Sequence, residues 1–438
     1  MRNVRKEPAS IGQRVLWQMD HHRGGHGALN CPLLLRIDGP LDVPALQAAV
    51  YAVAQRHEAL RTTFAGRGPR LRQIIHKEPL PLVIDEIDIS DELLPRDALG
   101  RAIASEVQTP TDTAERPIRL TLWRIHAERW VLCVNMHHLT TDGWSTAVVF
   151  SELGQLYRHI VAGGPEPPAG VWQYSDWVAW HNEQLTGERF RRMQAYWRER
   201  LAGAKLPDLP RQDGGALLRE RRTVVERALL GAEIVKAMQI LARAHGTAFF
   251  TCLLAVYYAL LRRETGEDDL AIGSIFANRS RQEARSTLGF LSNMVVLRSR
   301  LSPGATFSDI LRASDDTVIS AFCNQELPFQ MLPLDTIDAA SMRPDAIVFQ
   351  LLTGPMSTLK VGDLTFEPIV DVPPGIGSRW ELELSLAPVP EGLAVLLCYA
   401  SDLYDHRWAR SFLDDYVALT SALVRQPNIP IASEAFGP

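Results

Sequence analysis

The sequence predicts an α/β protein built from two domains. Its 438 residues are 46% apolar, which exceeds the need of one ordinary compact domain and is enough for two hydrophobic cores. Segments with alternating apolar residues are interspersed with segments that carry apolar residues at helical spacing. Two stretches rich in Gly and Pro, residues 161–170 and 205–215, lie near the middle of the chain. They predict loops, with a domain boundary in or between them.

In the first half, Asp42 and Pro44 mark the start of a helix whose apolar spacing continues through residues 44–60. Residues 118–139 predict two strands around a short polar turn, and a helix of about 18 residues follows at 144–161. The second of these strands places its residues alternately on two faces. One face carries Val131, Cys133 and Asn135, and the other carries Leu132, Val134 and Met136.

A helix is predicted at 188–201, between the two loops. After it a new series of strands and helices begins, with a strand at 223–230, a helix at 232–246, an apolar helix and a buried strand at 269–279, and a last helix at 408–424.

Composition excludes several classes of protein. The formal net charge is −5, whereas nucleic-acid-binding proteins usually carry a strong basic excess. The five cysteines are scattered with no CxxC pair, which predicts reduced thiols rather than disulfides or a zinc site. The N-terminus lacks an apolar signal segment, and the longest apolar run, residues 247–261, is shorter than the roughly 20 residues that span a bilayer. These features predict a cytoplasmic protein that binds neither nucleic acid nor membrane.

The stretch MHHLTTDGWS, residues 136–145, is the candidate for catalytic chemistry, although histidines at a strand end are often only structural. It lies where a strand ends and a helix begins, and His137 and His138 point to opposite faces if both follow the strand. Asp142 can pair with an arginine and brace the loop. Gly143 allows close approach of a substrate, and backbone amides at a helix start favour developing negative charge. An imidazole beside a reacting acyl carbonyl can take a proton from a nucleophile or hold that nucleophile in place.

Other chemistries find less support. A metal site is disfavoured because adjacent strand histidines cannot easily share one ion and no Cys-rich or carboxylate-rich segment supplies further ligands. The chain lacks the Gly-x-Ser-x-Gly elbow of serine hydrolases and the Gly-rich phosphate loop of nucleotide-driven enzymes.

The HHxxxDG stretch resembles the motif of condensation domains from nonribosomal peptide synthetases, which belong to the chloramphenicol acetyltransferase-like acyltransferases. RHEALRTTF (56–64) matches the second family motif, and SIGQRVLW (10–17) resembles the first, with Gly12 where alanine is usual. Further segments resemble later motifs in the family's order. They are YSDWVAW (174–180), LGFLSNMVVLR (288–298) with Met294 for threonine, NQELPFQML (324–332) with Asn324 for histidine, and, loosely, RPDAIVFQLL (343–352).

The resemblance implies two chloramphenicol acetyltransferase-like α/β lobes in a V-shaped pseudo-dimer with a central tunnel. The N-terminal lobe, residues 1–180, would carry HHxxxDG, and residues 181–438 would form the C-terminal lobe. An acyl or aminoacyl group arrives as a thioester on a carrier protein's 4'-phosphopantetheine. The acceptor is an amine or a hydroxyl, on a small molecule or a second carrier, so amide and ester products both stay open. No cofactor of its own is implied.

Carried over residue by residue, His138 is the catalytic histidine, which positions or deprotonates the acceptor. Gly143 keeps the acyl path clear and offers its amide to the oxyanion. His137 is structural, and Asp142 forms a bracing ion pair. Arg61 is the first choice of partner for Asp142, and the second choices are Arg14 and Arg298.

Several alternatives remain open at this point. The helix at 188–201 either docks an acidic carrier protein or is a solvated face. The chain is either an excised domain or, as we favour, a freestanding enzyme that meets its carrier in trans. Rival functions are a coenzyme A-dependent acyltransferase, an epimerization domain and a non-catalytic recruitment domain. The intact DGWS stretch and His138 favour condensation.

Overall fold

The computed structural model describes residues 4–22, 27–92, 94–168, 170–212, 223–332, 346–352, 358–369, 380–428 and 430. The strands in these residues are β1 (Val4–Pro8), β2 (Asn30–Asp38), β3 (Thr62–Ala65), β4 (Arg72–His76), β5 (Asp85–Asp88), β6 (Ile118–His126), β7 (Arg129–His137), β8 (Thr223–Gly231), β9 (Asp269–Phe276), β10 (Asn293–Arg300), β11 (Ile347–Leu351), β12 (Leu359–Val361), β13 (Leu364–Pro368), β14 (Leu382–Val389) and β15 (Gly392–Ala400).

The helices are α1 (Ile11–His22), α2 (Val43–Arg56), α3 (Pro95–Gln108), α4 (Gly143–Ala162), α5 (Tyr174–Gln184), α6 (Gly187–Leu201), α7 (Ala232–Ala244), α8 (Phe249–Thr265), α9 (Phe307–Cys323) and α10 (His406–Leu423). The predicted α/β class is confirmed. Of the motif RPDAIVFQLL, residues 343–345 lie outside the described residues, as do residues 213–215 of the second Gly- and Pro-rich stretch.

The chain divides into two compact units, and both are discontinuous in sequence. The first consists of Met1–Glu183, Ala277–Ser292 and Gly354–Ile376, and the second of Gln184–Phe276, Asn293–Thr353 and Gly377–Pro438. The predicted boundary at residue 180 lies three residues from the first crossing. The contiguous division did not include the two later segments that join the first unit, because local sequence patterns carry no signal for such long-range pairing.

The first unit contains a six-stranded sheet in the order β12-β13-β2-β7-β6-β5 and a three-stranded sheet in the order β1-β4-β3. In the larger sheet only β5 and β6 run parallel. One face of β7 contributes Leu132, Val134 and Met136 to the core shared with α2 and α4. The other face contributes Val131 and Cys133 to a smaller core with α3. The predicted alternation along this strand is confirmed.

The second unit contains a six-stranded sheet in the order β10-β9-β11-β14-β15-β8. Its core surrounds α8, in which every side chain from Thr251 to Leu261 is buried. A helix buried on all sides needs no polar face, which accounts for the long apolar run in the sequence. On α6, Met193, Trp197 and Leu201 are buried, while arginines on other positions of the helix are exposed.

Within the described residues, no single helix is long and apolar enough to cross a membrane. Only the bent pair α7 and α8, whose axes meet at 104°, passes that test together, by length and composition alone.

Candidate active site

The HHxxxDG loop connects the end of β7 to the start of α4, as predicted. His137 is the last residue of β7, and Asp142 caps α4 by accepting a hydrogen bond from the Ser145 amide at 2.8 Å. The His138 amide donates to the Leu29 carbonyl at 2.9 Å. A tight turn at a strand end thus fixes both histidines relative to the sheet.

His138 is partly exposed, and a hydrogen bond at Nδ1 defines the tautomer of its neutral ring. The Nδ1 atom lies 3.1 Å from the carbonyl oxygen of Thr141. A carbonyl oxygen only accepts, so Nδ1 carries the proton in the neutral ring and Nε2 carries the lone pair. An imidazole in this tautomer can accept a proton at Nε2.

His137 is held in the opposite tautomer, inside the protein. Its side chain is 2% exposed, and its Nδ1 accepts a hydrogen bond from the Leu139 amide at 3.1 Å. The proton of the neutral ring therefore resides on Nε2, which lies 3.7 Å from Oδ2 of Asp20. The two adjacent histidines present different nitrogen atoms to different surroundings.

Asp142, the carboxylate of the loop, is 1% exposed and accepts several hydrogen bonds. Oδ1 accepts from the Ser145 amide and from Nη2 of Arg279, and Oδ2 accepts from the amides of Leu291 and Ser292 at 3.0 Å each. Burial by itself raises the pKa of Asp142, but the Arg279 charge and the hydrogen bonds from Ser145 outweigh it. The pKa of Asp142 is therefore lowered, and this carboxyl is ionised at neutral pH.

The predicted ion pair of Asp142 exists, but the predicted partner was wrong. Nη2 of Arg279 lies 2.9 Å from Oδ1 of Asp142, and both side chains are almost fully buried. The three candidate arginines bond elsewhere. Arg61 donates to the His76 carbonyl, Arg14 to the Ala9 carbonyl at 3.1 Å, and Arg298 to Asp269 at 2.6 Å. The position of an arginine in or near a motif does not reveal whether the fold brings it to Asp142.

Arg279 begins a segment that packs under the loop. Its Nη1 donates to the carbonyls of Ala284 and Thr287, and its Nη2 also donates to Oγ of Ser145 at 2.9 Å. The same Oγ donates to the Gly289 carbonyl at 3.0 Å. One arginine and one serine thereby fix residues 279–289 against the start of α4.

Gly289 has a positive φ of 154°, and it lies against Tyr174. A Cβ at this position would lie 2.0 Å from Cδ2 of the Tyr174 ring. The Tyr174 hydroxyl lies 2.9 Å from the Phe290 carbonyl and 2.9 Å from Oγ of Ser10. Burial raises the pKa of Tyr174, which stays a neutral hydrogen-bonding group.

The first motif braces the loop from the side of α1. Ser10 Oγ accepts from the Gln13 amide at 3.0 Å, and Gln13 Oε1 accepts from the Ser10 amide at 2.9 Å, which is a reciprocal cap of α1. Nε2 of Gln13 then donates to the Leu139 carbonyl at 2.8 Å. Gln13 thus links the start of α1 to the residue after His138.

The second motif ties α2 to α4. Oε2 of Glu152 lies 2.8 Å from Nε of Arg56 and 2.9 Å from Nε2 of the buried His57. Burial raises the pKa of Glu152, but the hydrogen bonds and charges of His57 and Arg56 outweigh it, so the pKa is lowered. These residues stabilise the two helices that pack on the sheet.

Gly143 is exposed at the first position of α4. A Cβ built on it would meet no atom within 4 Å. The first amides of a helix have no acceptor within the helix and favour negative charge. Open space and an N-terminal amide therefore adjoin the histidine loop.

Sequence reasoning missed several residues of this site, namely Arg279, Ser145, Gln13 and Tyr174 in its role toward Phe290. Three of them lie in motif segments, so the motifs signalled importance without revealing the contacts. Arg279 stands at the end of the predicted strand 269–279, and nothing in its local sequence points to Asp142. In the part of the chain that the structure describes, no group of three His, Cys, Asp or Glu side chains could hold a metal ion. All five cysteines are free thiols.

Comparisons with known proteins place this geometry in a family. The condensation-domain model matches residues 4–436. The chain is 31% identical over 434 residues to a linear gramicidin synthase of Brevibacillus parabrevis, and the match covers 97% of this chain and 6% of that protein. It is 34% identical over 333 residues to phosphinothricin tripeptide synthetase PhsC of Streptomyces viridochromogenes, covering 74% of this chain and 30% of that protein.

Solved structures agree on the fold. The first condensation domain of the calcium-dependent antibiotic synthetase superposes with a TM-score of 0.83 at 20% identity, over 98% of both chains. The SgcC5 protein from Streptomyces globisporus superposes with a TM-score of 0.77 at 26% identity, over 97% of this chain and 100% of that one. The chain spans only a small part of the synthetases that it matches in sequence. Because the family model matches almost from end to end, the chain belongs to the condensation-domain family.

Proposed function

We propose that this chain transfers an acyl or aminoacyl group from a carrier-protein phosphopantetheine thioester to an amine, with formation of an amide bond. Condensation domains are acyltransferases that form amide bonds in nonribosomal peptide synthesis. The observation that carries the proposal for this chain is the hydrogen bond from His138 Nδ1 to the Thr141 carbonyl. It leaves the lone pair of the neutral ring on Nε2, where the proton of an attacking amine can be received.

The proposed step needs no nucleotide, because the thioester is already activated. The acceptor nitrogen attacks the thioester carbonyl carbon while its proton passes to Nε2 of His138. The Gly143 amide, at the start of α4, stabilises the oxygen of the tetrahedral intermediate. The carbon–sulfur bond then breaks, and the phosphopantetheine leaves as a thiol after taking a proton. His137 and Asp142 hold the loop and touch neither reactant.

The proposal also covers the partner proteins, the acceptor and the cellular location. We propose that a carrier protein presents the donor in trans, that the enzyme works in the cytoplasm, and that it needs no cofactor of its own. The acceptor is a small molecule or a carrier-bound group. SgcC5 was solved in complex with a naphthyl ethanediol, so a hydroxyl acceptor and an ester product belong in the test. The arrangement of two lobes around a tunnel stays a prediction of the resemblance.

The experiment mixes the full chain with carrier protein loaded with aminoacyl or aryl thioesters. A panel of amines, 1,2-diols and aminoacyl carriers supplies the acceptor, and mass spectrometry follows the products. We expect amide product with wild type and a loss of about 10²- to 10⁴-fold in rate with His138→Ala. The matched control is His126→Ala, which removes an exposed histidine at the end of β6 and should leave the rate unchanged.

The alternatives give different results. Transfer from acyl coenzyme A at the rate seen with the loaded carrier would assign the chain to the coenzyme A-dependent acyltransferases. Saturable binding of the loaded carrier without product, equal in wild type and His138→Ala, would refute catalysis and indicate a recruitment domain. Equal rates for His138→Ala and His126→Ala would refute the role of His138.

A further inference from the structure

The ring of Phe290 lies directly beside the proposed catalytic imidazole. Its centroid is 6.1 Å from that of His138, and the two planes meet at 82°, so the rings touch edge to face. Both side chains are partly exposed. In LGFLSNMVVLR, Phe290 lies between Gly289 and Leu291. A group bound at His138 therefore meets the face or edge of this ring.

The backbone under this ring is fixed at both ends. The Phe290 carbonyl accepts a hydrogen bond from the Tyr174 hydroxyl at 2.9 Å. The preceding Gly289 packs on the Tyr174 ring and bonds to Ser145 through its amide and its carbonyl. The next amide, that of Leu291, donates to Asp142. With the backbone held in this way, only the side-chain torsions of Phe290 can adapt.

Gly12 supplies the space that the ring occupies. A Cβ at Gly12 would lie 2.8 Å from Cε1 and 3.0 Å from Cδ1 of Phe290, which is closer than van der Waals contact. Alanine is usual at this place in the family's first motif. The glycine therefore lets the Phe290 ring lie against α1, and an alanine would displace it by several tenths of an ångström.

We infer that Phe290 is a specificity-determining wall of the acceptor site, and that Gly12 sets its position. This inference rests on the proposed function. A base must approach the acceptor nitrogen to about 3 Å, so a substituent on the adjoining carbon comes close to the Phe290 ring that packs against His138. The wall limits the bulk of that substituent. The ligand class is thus an amine or alcohol in which the carbon that bears the nucleophile carries no substituent or only a small one.

The test measures selectivity rather than activity alone. Three acceptors carry hydrogen, methyl or isopropyl on the carbon that bears the nucleophile and are otherwise identical to the best acceptor of the panel. We expect Phe290→Ala to raise kcat/KM for the isopropyl acceptor relative to the unsubstituted one by about tenfold or more, because a pocket distinguishes such groups by about 10- to 200-fold. Gly12→Ala should shift the same ratio several-fold.

A double variant tests whether Gly12 acts through the Phe290 ring. In the Phe290→Ala background, Gly12→Ala has no ring to displace, so it should leave the ratio unchanged. Phe290→Leu keeps an apolar side chain and provides the same comparison if Phe290→Ala folds poorly. The matched control is Phe322→Ala, which removes a phenylalanine that is 55% exposed on α9. Thermal unfolding of each variant checks the fold.

Two outcomes would overturn the inference while leaving the proposed function intact. One is wild-type transfer with a selectivity ratio that neither Phe290 variant changes by more than about twofold. The other is an equal effect of Gly12→Ala in both backgrounds. Absence of any transfer by wild type would instead refute the proposed function, and this inference with it.

Discussion

Nη2 of Arg279 lies 2.9 Å from Oδ1 of Asp142, and the pair is buried although 137 residues separate its members. Asp142 also caps α4 and binds the amides of Leu291 and Ser292. One carboxylate therefore connects the HHxxxDG loop to a segment that returns from a distant part of the chain. The relationship explains how an aspartate at this place stabilises the loop.

Arg279→Ala should strongly destabilise the first unit. Removing one partner leaves the Asp142 charge buried and unpaired, which costs about 3–5 kcal/mol in comparable pairs. Urea denaturation would measure the change in the free energy of unfolding. Arg281→Ala, which removes an exposed arginine paired with Glu283, is the matched control and should remain near wild type. A similar stability for both variants would contradict the central role of the buried pair.

The dependence of stability on pH should include a contribution from Glu152. Its pKa is lowered in the folded chain from the ordinary 4.5, so the unfolded chain binds its proton first as the pH falls. The contribution is fully present above pH 4.5 and is lost as the pH falls through the lower, folded pKa. Free energies of unfolding for wild type and Glu152→Gln, measured from about pH 7 to about pH 3, should converge on the acid side. A constant difference across this range would refute the assignment.

Gly289→Ala should reduce stability more than the same exchange at Gly163. Both glycines have positive φ values, 154° and 64°. A Cβ at Gly289 would overlap the Tyr174 ring, whereas one at Gly163 would meet nothing within 4 Å. We expect a loss of about 1 kcal/mol at Gly163 from backbone strain and an additional 1–3 kcal/mol or so at Gly289 from the overlap. Equal midpoints of thermal unfolding for the two variants would show that the Tyr174 ring moves aside freely.

Gly143→Ala should separate folding from catalysis. The new Cβ meets no atom, and alanine favours a helix over glycine by about 1 kcal/mol in helix interiors, so stability should be unchanged or slightly higher. If the acyl group passes this position, the added methyl obstructs it and the rate of acyl transfer should fall about tenfold or more. Both readouts come from one purified variant, by thermal unfolding and by the carrier assay. Full activity would refute the prediction that Gly143 keeps the acyl path clear, whereas its backbone amide is retained in this variant.

Much of the fold follows from the sequence, because its signals are local. The alternation of apolar residues predicted the two faces of β7, and both are found in separate cores. Asp42 does cap α2 by accepting from the Ala45 amide. Such signals depend on residues a few positions apart, and a strand or helix expresses them wherever it lies. The predicted division into two continuous lobes at residue 180 had no local signal behind it. Segments 277–292 and 354–376 join the first unit through contacts between residues far apart in sequence.

The sequence by itself determined that His138 and Asp142 lie between the end of a strand and the start of a helix, and that the aspartate needs a cation. Only the tertiary structure decided which cation. Arg279, not Arg61, reaches the carboxylate, because the chain returns to this loop 137 residues later. Local pattern fixes the conformation of a short segment, whereas the partner of a buried charge depends on three-dimensional packing that the sequence around either residue does not encode.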